Sequence, residues 1–278
     1  MSETRTKVGI YIDTSNISQN GGFGMQFDVL RQYACHDDAE AVRMNVYVAY
    51  DEERAVEDAV YRNRTLGFYS TIRDFGYKVI EKRVKRYVDE QGNIMTKSNS
   101  DLDMAVDALL QSDKLDRVVL CTGDGDFIQV VRALQNKGCR VEVIAFDNVS
   151  QDLRREADVF MSGYLVPNLL PVQNAERSLP WGEIGSRVRG SCYFHKEAEQ
   201  YSYGFMRFLR HINDNLWITD TRAKESPFGT AYFNDTSFVD RVNGNDLPNR
   251  NIIFEFELMK STKNDGLEAR NIRMAARL

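Results

Sequence analysis

Histidine is scarce in this chain, with only His36, His195 and His211 among 278 residues, and the four cysteines (Cys35, Cys121, Cys139, Cys192) never stand as a Cys-x-x-Cys pair. Neither pattern offers the ligand spacing of a structural zinc site. No apolar run is long enough to span a bilayer. Met1–Lys7 leads directly into an apolar run without the pattern of a secretory leader, so a cytoplasmic protein with no membrane partner is expected. A Gly-x-x-x-x-Gly-Lys-Ser/Thr loop is missing, and Asp13-Thr14-Ser15 lacks the second aspartate of a phosphoaspartate motif. Both absences argue against a phosphatase or a kinase-like enzyme. Basic charge is not in excess either. A formal net charge of −5 speaks against a protein that coats nucleic acid and leaves room for a local basic groove. What remains is the composition of a soluble globular chain, 42% hydrophobic and 28% charged, with length for one large domain or two modest ones.

The stretch Val118–Phe127 organises the first half. Its β-branched, apolar start reads as a buried strand. The strand breaks at Thr122-Gly123 and delivers Asp124 and Asp126 just before a helical pattern opens at Phe127. In a parallel α/β sheet, ligands gather beyond the carboxyl ends of the strands. Two acids there suit a hard cation. They equally suit a helix cap and its dipole, and the residues by themselves leave both readings open.

The rest of the first half alternates strands with helices. Val8–Ile12 is a strand ending in the polar edge Asp13–Asn16. Helical spacing follows at 26–33, a strand at 41–50, a helical region at 51–75 interrupted near Gly67, and a strand at 77–81. Residues 82–97 are polar and read as a β-ribbon or a loop. They hold Lys82, Arg83, Lys85 and Arg86, a set fit either to meet phosphates or simply to be solvated. Residues 101–110 form an amphipathic helix with Leu102, Ala105, Val106 and Leu109 as its apolar face, while Asp103 and Asp107 share another. A helix at 127–137 ended by Gly138, a strand at 140–146 and a short helix at 151–157 complete the pattern. Such alternation implies a parallel sheet covered on both faces, with Asp13, Asp101, Asp124 and Asp126 converging at one edge.

The segments Ile10–Asn16, Lys97 with Asp101–Asp107, Thr122–Phe127 and Leu153–Phe160, in this order and spacing, closely resemble the NYN domain, a branch of the PIN-like nucleases. The resemblance covers about residues 7 to 166. It implies a metal-dependent ribonuclease in which Asp13, Asp101, Asp124 and Asp126 hold Mg²⁺ or Mn²⁺ and Asn16 is a positioning amide. Asp103 is an addition to the family pattern, readable as an outer acid or a further ligand, and Asp107 reads as a helix-face residue engaging a neighbour. Family members often pair, which adds a homodimer to the expected partners.

Beyond this the pattern changes. Pro167, Pro171 and Pro180 bracket a stretch with little periodicity, so residues 1–166, 167–182 and 183–278 are expected as nuclease domain, linker and second domain. The second domain shows five short strand patterns, at 186–194, 201–210, 215–220, 230–234 and 251–259, the mark of a small all-β barrel. Tyr203, Phe205 and Arg207 share one strand face, as do Tyr232 and Asn234, positions that serve equally for core or for base stacking. In sequence order, Gly190–Phe194, Tyr203–Phe205, Ala231–Phe238, Ile253–Glu257 and Glu268–Ile272 resemble a cold-shock domain, an OB-type barrel that binds single-stranded nucleic acid. That resemblance implies Tyr193, Tyr203, Phe205 and Tyr232 as stacking residues, with Lys196 and Arg207 as phosphate contacts. Asn234 stands where that family usually has His, and Asp235 where it often has an aromatic residue. The expected molecule is therefore an endoribonuclease acting on single-stranded RNA, with single-stranded DNA as another ligand its barrel would accept. The other class is a non-catalytic RNA-binding or regulatory protein of the same fold.

Overall fold

A computed structural model of the chain describes residues 5–88, 94–97, 99–172, 179–197, 201–262 and 265–278, with 85–88 and 94–97 given by their backbone alone. It divides into two compact units. The first is Met1–Phe23, Asp38–Ala145 and Val149–Met161; the second is Gly24–Asp37, Phe146–Asn148 and Ser162–Leu278.

The elements to residue 165 run β1 (Lys7–Asp13), α1 (Thr14–Gln19), α2 (Phe27–Ala34, in the second unit), β2 (Glu40–Tyr50), α3 (Glu52–Glu57), α4 (Ala59–Asp74) and β3 (Lys78–Arg83). They continue with β4 (Lys85–Val88), β5 (Ile94–Lys97), α5 (Ser100–Gln111), β6 (Arg117–Cys121), α6 (Ile128–Asn136), β7 (Arg140–Ala145), α7 (Gln151–Glu156) and β8 (Val159–Ser162). Six strands form one sheet in the order β3-β2-β1-β6-β7-β8. The pairs β2–β3, β1–β2, β1–β6 and β6–β7 are parallel. β6 is buried throughout and β1 in all but its first residue, as continuous apolar runs at the centre of a helix-covered sheet should be. Tyr11, Met104, Ala108, Val118, Leu120, Val131 and Leu134 belong to the core beside them.

Three local expectations change, and one open alternative is decided. The polar edge after β1 is a short helix, α1, capped by Asp13. The 51–75 helix breaks at Asp58, whose side chain accepts from the Tyr61 N–H and starts α4, while Gly67 is carried inside α4. Of the 82–97 segment, Lys82 and Arg83 end β3, while β4 pairs antiparallel with β5 from Lys85–Lys97 to Val88–Ile94, the ribbon alternative of the two expected. On α5 the apolar face is only partly the one expected: Ala105 and Leu109 pack against the core, but Met104 and Ala108 are the buried residues and Leu102 and Val106 are exposed at 58% and 46%. The helix is turned toward the sheet on its polar side as well, because Asp107 and Gln111 find hydrogen-bond partners there.

In the second unit, β9 (Arg187–Lys196), β10 (Tyr203–Leu209), β11 (Phe228–Asn234), β12 (Asn249–Lys260) and β13 (Leu267–Arg277) close a barrel in the order β10-β11-β13-β12-β9. The β11–β13 pair is parallel, while β9–β10, β10–β11, β12–β13 and β9–β12 are antiparallel. Val188, Met206, Phe208, Phe233, Phe254, Phe256 and Ile272 fill it. The strand expected at 215–220 is a pair of turns instead, opened by Asn215 at φ 64° and tied by Ile218 N–H to the Asn215 carbonyl. The fifth strand is β13. Residues 167–172, expected to begin a linker, are held within this unit: Leu169 is fully buried, and Arg189 donates to the Leu170 and Pro171 carbonyls at 2.9 Å each. Residues 173–178 of that stretch lie outside the described residues.

Candidate functional site

Strand order reverses between β1 and β6, which pair in parallel from Val8–Arg117 to Ile12–Cys121. Asp13, the last residue of β1, and Thr122, the first after β6, lie side by side at the kind of switch point where open α/β sheets take ligands. The sequence set its acids there for this topological reason.

Asp13 does two things at once. Its Oδ1 accepts the Asn16 backbone N–H at 3.0 Å and so caps α1. The residue is nevertheless buried, 6% exposed. Burial pushes its carboxyl above the ordinary range; the Asn16 and Ser15 N–H groups pull it back, and the charges of Asp101 and Asp124 push it up again. Asn16 ties the two loops together, its Oδ1 accepting the Gly123 N–H at 2.8 Å. In the loop after β6, the Asp124 N–H donates to Thr122 Oγ1 at 3.2 Å, and Asp124 Oδ1 accepts the Asp126 N–H at 3.0 Å, capping the turn Gly125–Phe127. The capping reading of Asp124 is thus realised as well. Asp126 is exposed in that turn.

The other acids of α5 are engaged elsewhere. Asp103 pairs with Lys82 Nζ at 2.6 and 2.9 Å, and Asp107 accepts from the Tyr47 hydroxyl at 2.8 Å. Of the basic cluster, Lys82 is thereby used, Arg83 meets Glu52 at 3.1 Å, and the Lys85 and Arg86 side chains lie outside the described residues.

Among the described residues, no three His, Cys, Asp or Glu side chains stand close enough to hold a metal ion by themselves. The donor set still fits a hard cation. Mg²⁺ takes one or two carboxylates and keeps several waters, and a buried carboxylate whose charge is further opposed by those of Asp101 and Asp124 is an arrangement a divalent ion relieves.

The barrel carries the second set. Tyr193, Phe194, Tyr203, Phe205 and Tyr232 form one continuous group of rings on β9, β10 and β11. Centroids are 6.3 Å apart for Tyr193–Phe205, 6.0 Å for Phe194–Phe205, 6.2 Å for Phe194–Tyr203, 6.0 Å for Tyr203–Tyr232 and 5.8 Å for Phe205–Tyr232. Tyr193 and Phe194 are 37% and 40% exposed, so the rings face outward and are not core. Phe194 was not expected. Strict alternation would send it inward, but the β9–β10 register slips between Phe205 and Met206, so that Tyr193 is an extra residue and its neighbour also faces out. Nothing in the sequence marks that bulge. Gly204 lies on the inward side, where a Cβ would come within 2.5 Å of the Phe194 carbonyl and the Phe233 ring. Lys196, exposed, pairs in register with Tyr203 at one end of the group. Half-buried Arg207 stands at the other, its guanidinium 5.6 Å from the centre of the Phe228 ring and near Arg250. The two departures from the cold-shock pattern have local uses: Asn234 Oδ1 accepts the Thr236 N–H, and Asp235 receives buried His195 at 2.9 Å.

Comparison with known proteins places the likeness in the first part of the chain. The family model described as NYN domain matches residues 7–169. The low amplitude and bright protein LabA of Synechococcus elongatus is 26% identical over 163 residues, which are 56% of this chain and 83% of that protein. A solved structure of a protein of unknown function from Vibrio parahaemolyticus is 24% identical, with a TM-score of 0.46, covering 58% of this chain and 95% of its own.

Proposed function

Because this chain belongs to the NYN domain family, we propose that it is a divalent-metal-dependent endoribonuclease, and that its barrel is an OB-type, cold-shock-like module which captures single-stranded RNA. The observation that carries the reading is Asp13, buried at the end of β1 in the field of Asp101 and Asp124. The barrel reading is supported by its strand sequence, first-second-third-fifth-fourth with a parallel third–fifth pair, and by the exposed rings.

Asp13, Asp101 and Asp124, with Asp126 beside them, would hold Mg²⁺ or Mn²⁺. When bound, the ion supplies an activated water and stabilises charge on the scissile phosphate. The chain's own residues do the rest. Asn16 keeps the Gly123 loop against α1, fixing Asp124 relative to Asp13. Thr122 and the Asp126 N–H hold Asp124 in its turn. An acidic edge repels polyanionic RNA, so affinity has to come from elsewhere, and stacked rings flanked by Lys196 and Arg207 are suited to supply it.

Cleavage of a labelled, mixed-sequence single-stranded RNA with Mn²⁺ or Mg²⁺ tests this, with EDTA and Asp124→Asn alongside. Cutting abolished by both is the expected result; cutting that survives Asp124→Asn removes the site assignment. One observation favours a second reading, an RNA-binding protein that does not cut: the acids do not already converge as a metal-holding group of three among the described residues. RNA retention without any metal-dependent cutting would select it.

A further inference from the structure

Asp103, Asp107 and Gln111 recur every four residues on α5 and so share one helix face. Each meets the sheet at a different level. Lys82, near the end of β3, holds Asp103. Tyr47 on β2 donates to Asp107 at 2.8 Å. Asn45 on β2 and Tyr11 on β1 both donate to Gln111 Oε1 at 3.3 Å, and Asn45 Nδ2 also donates to the Tyr47 hydroxyl at 3.1 Å. Lys82 is in register with Ala49, and Tyr11 with Asn45. The three rungs therefore stand at Ala49, Tyr47 and Asn45, alternate residues on one face of β2.

Their spacing is commensurate. Four helical residues rise about 6 Å, and two strand residues about 6.6 Å, so helix and sheet stay in step for three rungs. Asp13 is in register with Tyr47 and thus on this same face. Apolar contact is non-directional and tolerates small rotations of a helix; hydrogen bonds with defined angles do not. Tyr11, Asn45 and Tyr47 are buried, so removing a partner strands a polar group away from water.

We propose that Asp103, Asp107 and Gln111 are positioning residues, a polar ladder that fixes the rotation and axial register of α5 and so sets Asp101 against Asp13. This rests on the acidic edge being the cation site proposed above. The ladder gives Asp103 and Asp107 a role without making either a ligand, and it accounts for the exposure of Leu102, Val106 and Leu110.

The test uses the full chain carrying Tyr47→Phe or Lys82→Met. Three quantities are read: amide hydrogen exchange over Ser100–Gln111, the Mn²⁺ concentration giving half-maximal RNA cleavage, and kcat and KM separately. Lys82 is 38% exposed in its side chain, so its replacement leaves the fold intact even if Tyr47→Phe does not. Both variants are expected to exchange faster in α5 and to need about tenfold more Mn²⁺, within the range that outer-shell partners contribute, with KM for RNA unchanged. Lys82→Arg should restore the parent requirement. An unchanged Mn²⁺ requirement in both variants overturns the proposal, whether or not exchange accelerates. A parent protein with no Mn²⁺-dependent cutting fails earlier and differently, since it removes the acidic edge itself, and the proposal with it.

Discussion

The two candidate surfaces are built in opposite ways. At the acidic edge Asp13 ends a strand, Asn16 and Asp124 lie just beyond one, and backbone N–H groups hold these three: Asp13 by Asn16, Asp124 by Asp126, Asn16 by Gly123. On the barrel the side chains come from the strands themselves, held by pleat and neighbouring rings. The first concentrates negative charge around a buried carboxylate; the second exposes aromatic area between two cations. Phosphate chemistry and phosphate attraction call for opposite fields. Under the proposed function, a chain of net charge −5 answers both by giving each its own surface.

That division is open to being broken. The largest expected effect is Asp124→Asn, which should lower RNA cleavage at least about 100-fold, beyond the 10–100-fold typical of outer-shell changes, with RNA retention unchanged in a filter-binding assay. Loss of both together would mean the two surfaces are not separable. Tyr203→Ala or Phe194→Ala should do the reverse, weakening single-stranded RNA binding by about 1–3 kcal/mol while kcat at saturating RNA stays at the parent value. Equal weakening by Phe194→Ala would show that the bulge, and not alternation, defines the binding face.

Gly204→Ala addresses the barrel alone. A methyl placed 2.5 Å from Phe233 should cost about 1–3 kcal/mol, read by denaturant titration of the barrel fluorescence. Asp13→Asn sharpens the other side. Without cation the folded carboxyl of Asp13 titrates above its ordinary 3.8, so the folded state holds its proton longer than the unfolded one. Its contribution therefore falls as pH rises from 3.8 through the raised value. Asn keeps the cap and removes that charge. The variant should melt no lower than the parent at neutral pH, and should lose the stabilisation that added Mn²⁺ gives the parent. The smallest effect belongs to Lys196→Ala, which should reduce the slope of log affinity against log salt by about 1.

Much of this was legible in the sequence, for identifiable reasons. Buried central strands are continuous apolar runs, so β1 and β6 declared themselves and carried Asp13 and Asp124 to one edge. Tyr203, Phe205 and Tyr232 were readable from strand alternation because no irregularity lies between them. The failures lie where partners distant in sequence decide. The rotation of α5 depends on Lys82, Tyr47 and Tyr11, and no pattern within residues 101–110 reveals them. β13 was hidden because Asn271, at φ 50°, interrupts its alternation, and because four of its residues are Glu268, Arg270, Arg273 and Arg277. At 215–220 the spacing of Leu216 and Ile218 imitates a strand, although backbone turns, opened by Asn215, set the local structure.

The seam between β1 and β6 also has a consequence during synthesis. Asn16 and the Gly123 it binds are 107 positions apart, and β2 and β3 are made in between. At about 5–20 residues per second, β1 waits on the order of 5–20 s for the strand that completes the edge. Through that interval the nascent chain carries Asp13 without Asp124, and the Asn16 amide oxygen waits for the Gly123 N–H that will join the two loops.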